Sequence, residues 1–228
     1  RGIVDEVLLR DWPSLYGISD VQELNALFTY IAYNTANEFS YEALSTSSGV
    51  PKNTLKKYID YLEAAFLIKQ ERRIDQSGKR YQRDNYFKLY LTNPSLRSAL
   101  FAPLTATDDL IGAMVETAIF DQWMHREQFT PWYARWSKGE VDMVGLDDKT
   151  LKPQWALDIK WSNRYVENPK ELKSLIPFCL ENDLDAAFVT TIDKESKQVY
   201  KGVHLQFMPA AAYAYTVGKN TLESKMKK

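Results

Sequence analysis

Two predicted strands, 140–146 and 154–160, contain charged residues that could do chemistry together. Asp142 lies in the first strand, and Asp158 and Lys160 lie in the second. Side chains at positions i and i+2 of a strand point to the same face, so Asp158 and Lys160 share one face. Both strands are otherwise mostly apolar, and burying a charge there costs several kcal/mol unless it is paired or bound to a metal. These charges are therefore the strongest functional signal in the sequence.

Glu116 offers a third carboxylate for the same site. It lies three, four and seven residues before Ile119, Phe120 and Trp123, and therefore on or beside the apolar face of a predicted helix. Three carboxylates without His or Cys favour Mg²⁺ or Mn²⁺ as the bound ion. Such an ion would polarise a phosphoryl oxygen and lower the pKa of a bound water. Lys160 would orient that water or neutralise charge that develops on phosphorus.

The same residues allow a structural alternative. Buried carboxylates are usually paired, so the two aspartates and the lysine could form an inward ion-pair cluster without any catalytic role. Glu116 could pair with Lys160 or Arg135, and Glu140 could lie at the surface or pair with Arg135. The residue types alone leave both interpretations open.

A sheet is needed to position these side chains. Hydrophobic periodicity predicts a domain over 106–217 with the order helix (110–127), three strands, helix, two strands and a terminal helix. The segment between the third and fourth strands is long enough for a helical crossover that joins parallel strands, whereas the first strands form antiparallel hairpins. The predicted fold class is therefore α/β with a mixed central sheet. Residues 218–228 are polar and predicted to be a flexible tail.

Residues 21–95 predict a winged helix-turn-helix, with three helices followed by a hairpin whose turn is 75–78. Residues 1–20 are expected to connect it to an upstream domain, and 103–109 to link it to the second domain. The third helix and the hairpin present the residues expected to contact DNA: Lys52, Asn53, Lys56, Lys57, Lys79 and Arg80. The alternatives are a solvated basic face or a docking surface for another domain.

Composition restricts the class of protein. With 228 residues and a net charge of −1, any contact with nucleic acid must come from a local patch. No apolar run is long enough to cross a bilayer, and the one cysteine, Cys179, suits a reducing compartment, so we expect a cytoplasmic protein without membrane contact. The phosphate-loop motif is absent, so this chain alone is not expected to hydrolyse ATP.

Asp142, the sequence Asp158-Ile159-Lys160 and the preceding Glu116 resemble the PD-(D/E)xK nuclease superfamily, although Val141 stands where that pattern has proline. The resemblance implies a restriction-endonuclease-like core with the order α-β-β-β-α-β. It also implies that the four charged residues, Glu116, Asp142, Asp158 and Lys160, form the nuclease-like site.

Other segments are similar to a large prokaryotic family of AAA-type ATPases. They include Gly49-Val50-Pro51, 58–63 and Lys88-Leu89-Tyr90-Leu91. In that family an ATPase domain precedes a winged helix and a nuclease-like domain of uncertain function. The chain begins at Arg1, and its first methionine is Met114, so we expect it to be a piece of a longer protein. The resemblance implies that the missing upstream part is an ATPase domain, which would bind ATP.

Three hypotheses about function follow. The leading one is a DNA-directed module, in which a winged helix is joined to a Mg²⁺-dependent endonuclease. The second is a non-catalytic sensor or interaction domain that regulates the ATPase and binds protein or nucleic acid without cutting it. The third is a transcription factor whose winged helix binds DNA sequence-selectively, even after loss of residues 106–228.

Overall fold

The computed structural model describes residues 20–79, 85–126 and 130–226. In these ranges the protein is a mixed α/β structure. None of the helices in the described ranges combines the length and the apolar character needed to cross a bilayer. The elements in chain order are α1 (Val21–Tyr33), β1 (Glu38–Ser40), α2 (Tyr41–Ser48), α3 (Lys52–Ala64), β2 (Ile68–Ile74), β3 (Tyr86–Leu91), α4 (Ser95–Leu100), α5 (Ile111–Met124), β4 (Trp132–Trp136), β5 (Gly139–Leu146), β6 (Pro153–Asp158), α6 (Arg164–Glu167), a 3₁₀ helix (Pro169–Glu171), α7 (Leu175–Glu181), β7 (Ala186–Thr191), β8 (Ser196–Tyr200), β9 (Val203–Pro209) and α8 (Ala210–Met226).

The chain divides into two compact units. The N-terminal unit comprises the described residues of Arg1–Gln70 and Asn85–Thr117, and the C-terminal unit those of Glu71–Asp84 and Ala118–Lys228. This division differs from the predicted domains, because the hairpin turn belongs to the second unit. The predicted connector, apart from residue 20, lies outside the described residues.

Local sequence signals explain the helices of the N-terminal unit. The Asp20 carboxylate accepts a hydrogen bond from the Glu23 N–H (2.9 Å) and caps α1. The Ser40 hydroxyl accepts one from Ala43 (3.1 Å) and caps α2, as predicted. Gly49 ends α2 with φ +75°, a conformation that glycine adopts at little cost.

The core of the N-terminal unit lies between these helices and three strands. Strand β3 lies between β1 and β2 and pairs with β1 antiparallel. The buried residues of α1 and α3 recur at the helical spacing seen in the sequence and include Leu24, Phe28, Leu55 and Leu62. The order of helices and strands over 21–91 is the one predicted, with the short strand β1 in addition.

The sheet of the C-terminal unit is mixed, as predicted. Strands β4, β5 and β6 pair antiparallel in sequence order. Strand β7 then pairs parallel to β6, after a helical crossover that contains α6 and α7. Strand β9 is parallel to β7 and antiparallel to β8, a strand that the sequence did not predict. The end of β2, residues 72–74, pairs parallel to β4.

Helix α8 corrects the prediction of a flexible tail over 218–228. It runs to Met226, and Val217 and Thr221 are buried on the face that begins with Ala210 and Tyr213. The helix therefore continues because its packing face continues, although Gly218 and the polar residues after it favour an end.

The turn predicted as the tip of a wing packs within the C-terminal unit. The Asp75 carboxylate accepts hydrogen bonds from the Ser77 hydroxyl (2.8 Å) and the Lys79 N–H (2.9 Å), which closes the turn. The Asn182 amide donates to the Gln76 carbonyl (2.8 Å). Gly78 is buried with φ +76°, and a methyl group there would lie 2.6 Å from the Pro153 ring. The turn is therefore built into this unit.

Substitution of Gly78 by alanine should destabilise the protein by about 2–4 kcal/mol, because the left-handed backbone and the Pro153 contact both oppose a side chain. Gly202→Ala is the matched control in the same unit, since φ is +85° but no atom lies within 4 Å of the added methyl. We expect it to cost only about 1 kcal/mol. Urea unfolding measures both, and equal destabilisation by the two substitutions would show that the turn does not pack as described.

Candidate active site

Strand register places two aspartates opposite each other. In the antiparallel pair β5–β6, Met143 lies across from Leu157 and Val144 from Ala156. The same register puts Asp142 opposite Asp158. Like charges in directly opposed positions destabilise a sheet, so this pair needs a compensating group.

Lys160 supplies that group. Its Nζ lies 3.1 Å from Asp142 Oδ2 and 2.7 Å from Asp158 Oδ1. Asp142 is 7% exposed and Asp158 is 3% exposed, whereas the Lys160 side chain is 26% exposed. The structure therefore brings Asp142, Asp158 and Lys160 together, with the Lys160 ammonium against Asp158 as their spacing predicted.

Backbone hydrogen bonds hold the lysine in place beyond the end of β6, which stops at Asp158, two residues earlier than predicted. The Ile159 N–H donates to Asp142 Oδ2 (2.7 Å). The Lys160 N–H donates to Thr190 Oγ1 (2.8 Å), and the Thr190 hydroxyl donates to the Lys160 carbonyl (2.9 Å). Sequence reasoning missed Thr190, whose only signal is a polar residue within the apolar run of β7.

The electrostatics of the cluster assign its protonation states. Burial, with a smaller contribution from the neighbouring Asp142, raises the pKa of Asp158 to about 7 against the opposing effect of Lys160. Burial alone would lower the pKa of Lys160, but the two carboxylates outweigh it and raise that pKa above its ordinary value. Lys160 is therefore an ammonium group at neutral pH and cannot act as a general base. Burial, with the nearby Asp158, raises the pKa of Cys179 to about 12, which keeps this thiol neutral.

Glu116 belongs to the N-terminal unit, where it has partners of its own. Its Oε1 accepts hydrogen bonds from Lys88 Nζ (2.7 Å) and from the Tyr90 hydroxyl (2.7 Å). Lys88 is a partner of Glu116 that was not considered from the sequence, where Lys160 and Arg135 were the candidates. Participation of Glu116 in the site stays a prediction.

The Glu140 carboxylate pairs with Arg135 at 2.7 Å, which is one of the predicted alternatives. This ion pair lies on β4 and β5, where the register sets the two residues opposite each other. Glu140 is thus accounted for as a structural partner of Arg135.

The donor set of the cluster fits a divalent cation in a restricted way. Within the described ranges, no group of three or more His, Cys, Asp or Glu side chains could hold a metal ion, so the site offers the two carboxylates of Asp142 and Asp158. Mg²⁺ is commonly held by one or two carboxylates together with water and substrate phosphates.

The residues predicted to contact nucleic acid fall into two groups. The four on α3, Lys52, Asn53, Lys56 and Lys57, are all exposed on the N-terminal unit. Lys52 pairs with Glu42, and Lys56 lies 5.4 Å from the centre of the Tyr41 ring. Lys79 is exposed in the turn of the C-terminal unit, and Arg80 lies outside the described residues.

Comparison with known proteins gives relatives without a known function. Residues 1–108 match a family described as a domain of unknown function (DUF8612). An uncharacterized protein of Haemophilus influenzae is 25% identical over 178 residues, which are 75% of this chain and 43% of that relative. The chain thus spans less than half the length of the relative. No solved structure matches it. The family match ends before β4, so it does not include the Asp142–Lys160–Asp158 cluster.

Proposed function

We propose that the C-terminal unit cleaves phosphodiester bonds in nucleic acid with Mg²⁺ or Mn²⁺. The observation that supports this most directly is the buried cluster of Asp142, Asp158 and Lys160 at the carboxyl end of β6. Ligands bind outside the carboxyl ends of parallel strands in open α/β sheets, and β6 and β7 form such a parallel pair. The PD-(D/E)xK resemblance names the same three residues.

Each residue of the cluster has a distinct role in this proposal. Asp142 and Asp158 hold the cation, and the Ile159 N–H orients the Asp142 oxygen that it contacts. When bound, the ion acts as a Lewis acid on a phosphoryl oxygen and lowers the pKa of a bound water. Lys160 remains cationic, orients the attacking water and neutralises the charge that develops on phosphorus. Thr190 positions Lys160 through its backbone.

Nuclease assays with Mg²⁺ and with Mn²⁺ on single-stranded DNA, duplex DNA and RNA test this proposal. We expect cleavage by the unaltered protein and background levels with Asp158→Asn and with Lys160→Ala, because each variant removes one member of the cluster. The control is Asp148→Asn, the same change at an exposed position in the β5–β6 turn. Equal cleavage by all four proteins would identify a contaminant and remove the catalytic role.

The N-terminal unit is proposed to be a winged helix that binds DNA through α3, and the whole chain to be the C-terminal part of an AAA-type ATPase. The support is the order of its helices and strands and the exposed face that contains Lys52, Lys56 and Lys57. A winged helix inserts this third helix into the major groove of DNA.

Replacement of both Lys56 and Lys57 by glutamine should weaken DNA binding for all sequences alike. The slope of log Kobs against log salt concentration should become shallower by about 1 for each phosphate that the protein no longer neutralises. Fluorescence anisotropy at several salt concentrations measures the slope. Lys197→Gln, which removes an exposed lysine from the C-terminal unit, is the control, and a slope unchanged by the double substitution would exclude DNA contact through α3.

One observation favours a second candidate function, a non-catalytic sensor or interaction domain. Lys160 already pairs with both carboxylates, so the cluster is partly compensated without a metal ion. A divalent cation must compete with this ammonium group for the same oxygen atoms. The two functions therefore differ in whether Mg²⁺ binds the folded protein.

A further inference from the structure

The segment that carries Lys160 lies beyond the hydrogen-bonded ladder of the sheet. Strand β6 ends at Asp158, and its parallel register with β7 ends at the same residue, which lies across from Val189. Lys160 follows two residues later and nevertheless holds its ammonium group against both Asp142 and Asp158. Side chains therefore have to replace the ladder in fixing the backbone of residues 159–163.

Two side-chain attachments hold this segment to the end of β7 and the loop after it. The first is the Thr190 hydroxyl, which binds the N–H and the carbonyl of Lys160. The second is Asn163, whose Oδ1 accepts hydrogen bonds from the N–H groups of Ile192 (3.1 Å) and Asp193 (3.3 Å). The Asn163 Nδ2 also donates to the Asp193 carboxylate at 2.6 Å. We name this second attachment the Asn163–Asp193 clasp.

The two side chains of the clasp are chemically complementary. A carboxamide accepts through its oxygen and donates through its nitrogen, so Asn163 serves two backbone donors and one carboxylate at once. An aspartate at position 163 would still accept from the backbone but would set a second carboxylate against Asp193. Exchanging the two residues, Asn163→Asp together with Asp193→Asn, retains one carboxamide and one carboxylate and so preserves the pairing of donors with acceptors.

The loop that receives the clasp is itself held in place. The buried Thr191 hydroxyl donates to the Lys194 carbonyl (2.6 Å) and closes the turn that presents Asp193. The Lys194 ammonium pairs with the Glu167 carboxylate on α6 at 2.5 Å. Strand β7 lies between β6 and β9 and pairs with both. The clasp therefore ties the segment after β6 to the end of a central strand.

Two attachments three residues apart fix the direction of a segment, whereas one attachment leaves it free to pivot. The Thr190 hydroxyl holds the backbone at Lys160 alone, and Asn163 supplies the second point. We propose that Asn163 is a positioning residue, which holds the backbone of residues 159–163 so that the Lys160 ammonium stays against both aspartates. The consequence for catalysis rests on the proposed nuclease function, whereas the effect on the backbone does not.

Hydrogen exchange of single amides, measured by NMR on the full 228-residue chain, tests the positioning without an assay of activity. The reporters are the N–H groups of Ile159 and Lys160, which donate to Asp142 and to Thr190 and do not contact the clasp. Asn163→Asp should speed their exchange at least about tenfold, because the segment then opens locally. The amides of β8 and β9 are the internal reference, since a general loss of stability would speed their exchange as well.

The exchanged pair separates the clasp from a simple loss of stability. Adding Asp193→Asn to Asn163→Asp should return the exchange of Ile159 and Lys160 to within about twofold of the unaltered protein, because the clasp forms again with its partners reversed. Asn220→Asp, the same change at an exposed position of α8, is the matched control and should leave both rates unchanged. Rates at Ile159 and Lys160 that do not respond to Asn163→Asp, or that the second substitution does not restore, would overturn the proposal.

Cleavage kinetics with Mg²⁺ measure the consequence for catalysis. Asn163→Asp should lower kcat at least about tenfold, because misplacement of a catalytic group by about 1 Å can cost about 100-fold. KM should change little, since Asn163 acts on the position of Lys160 and not on the substrate. The double variant with Asp193→Asn should recover kcat. If the unaltered protein cleaves no nucleic acid, the nuclease proposal fails, and hydrogen exchange still decides whether Asn163 positions Lys160.

Discussion

Replacing Lys160 by methionine should lower the free energy of unfolding by about 3–5 kcal/mol at pH 8, the usual result of removing one partner from a buried ion pair. The reason is the register of β5 and β6, which sets Asp142 opposite Asp158 with the Lys160 ammonium paired to both of them. Without it, two buried carboxylates repel each other and lack their shared counter-ion. Methionine retains most of the length of the lysine side chain, so the change tests charge more than packing.

The destabilisation should depend on pH and on metal. At pH 5 Asp158, whose pKa burial raises to about 7, is protonated in the variant, so the destabilisation should be smaller than at pH 8. Mg²⁺ should restore stability at pH 8 more in the variant than in the unaltered protein, because no ammonium competes for the oxygens. Urea unfolding measures all three effects, with Lys197→Met on the exposed face of β8 as the control. A destabilisation under about 1 kcal/mol would show that Lys160 does not compensate the pair.

Asp158→Asn, unlike Lys160→Met, should raise the free energy of unfolding, by about 2–4 kcal/mol above pH 7. The folded-state pKa of Asp158 is raised to about 7 from its ordinary value of 3.8, chiefly by burial. A raised pKa means that the folded state binds the proton more tightly than the unfolded state. The stabilisation from this proton is complete below pH 4 and is lost as the pH rises to 7. Asparagine resembles the protonated aspartate and avoids that loss, while Lys160 keeps its partner Asp142.

The measurement is the difference in unfolding free energy between the variant and the unaltered protein from pH 4 to pH 8. The difference should be near zero at pH 4 and grow with pH, and it cancels the contributions of all other titrating groups. Asp148→Asn, at an exposed position, should show no such trend. If Asp158→Asn is less stable than the unaltered protein at pH 8, the Lys160 ammonium requires both carboxylates as partners to be buried.

The same variant decides between a nuclease and a non-catalytic domain. If the two aspartates bind Mg²⁺, a concentration of about 100 times Kd should stabilise the unaltered protein by about 2.7 kcal/mol. Asp158→Asn should lose this effect although the variant is itself more stable. Loss of Mg²⁺ binding together with a gain in stability is expected for a site whose buried charges lower the stability of the fold. No stabilisation of either protein by Mg²⁺ would favour the sensor.

The parts of the site that the sequence predicts are those set by local geometry. The spacing of two residues predicted that Asp158 and Lys160 share a face, and their side chains do meet, although β6 ends at Asp158 and Thr190 holds the backbone of Lys160. The apolar run around Asp142 and the crossover before β7 predicted a mixed sheet for a similar reason, since both follow from spacing along the chain. Each of these predictions depends only on the spacing of residues within one strand or on the length of one connection between two strands.

The missed features depend on neighbours that are distant in the chain. Thr190 reaches Lys160 from thirty residues away, through a parallel pairing whose register no local pattern encodes. Lys88 on β3 pairs with Glu116 on α5, twenty-eight residues away, and this contact depends on how a helix packs against a strand that is distant in the chain. The turn around Gly78 resembles the tip of a hairpin wing, yet its contacts with Pro153 and Asn182 assign it to the C-terminal unit.

The sequence by itself determined that this chain has an α/β core in which acidic residues and a lysine are placed inside apolar strands. Periodicity suffices for that conclusion, because it reports which side chains share a face. Only the tertiary structure decided which charges meet: Asp142 and Asp158 converge on Lys160, whereas Glu116 pairs with Lys88 and Tyr90. The reason is that pairing between charges depends on strand register and on contacts between elements that are distant in the chain, and both are settled by the whole fold.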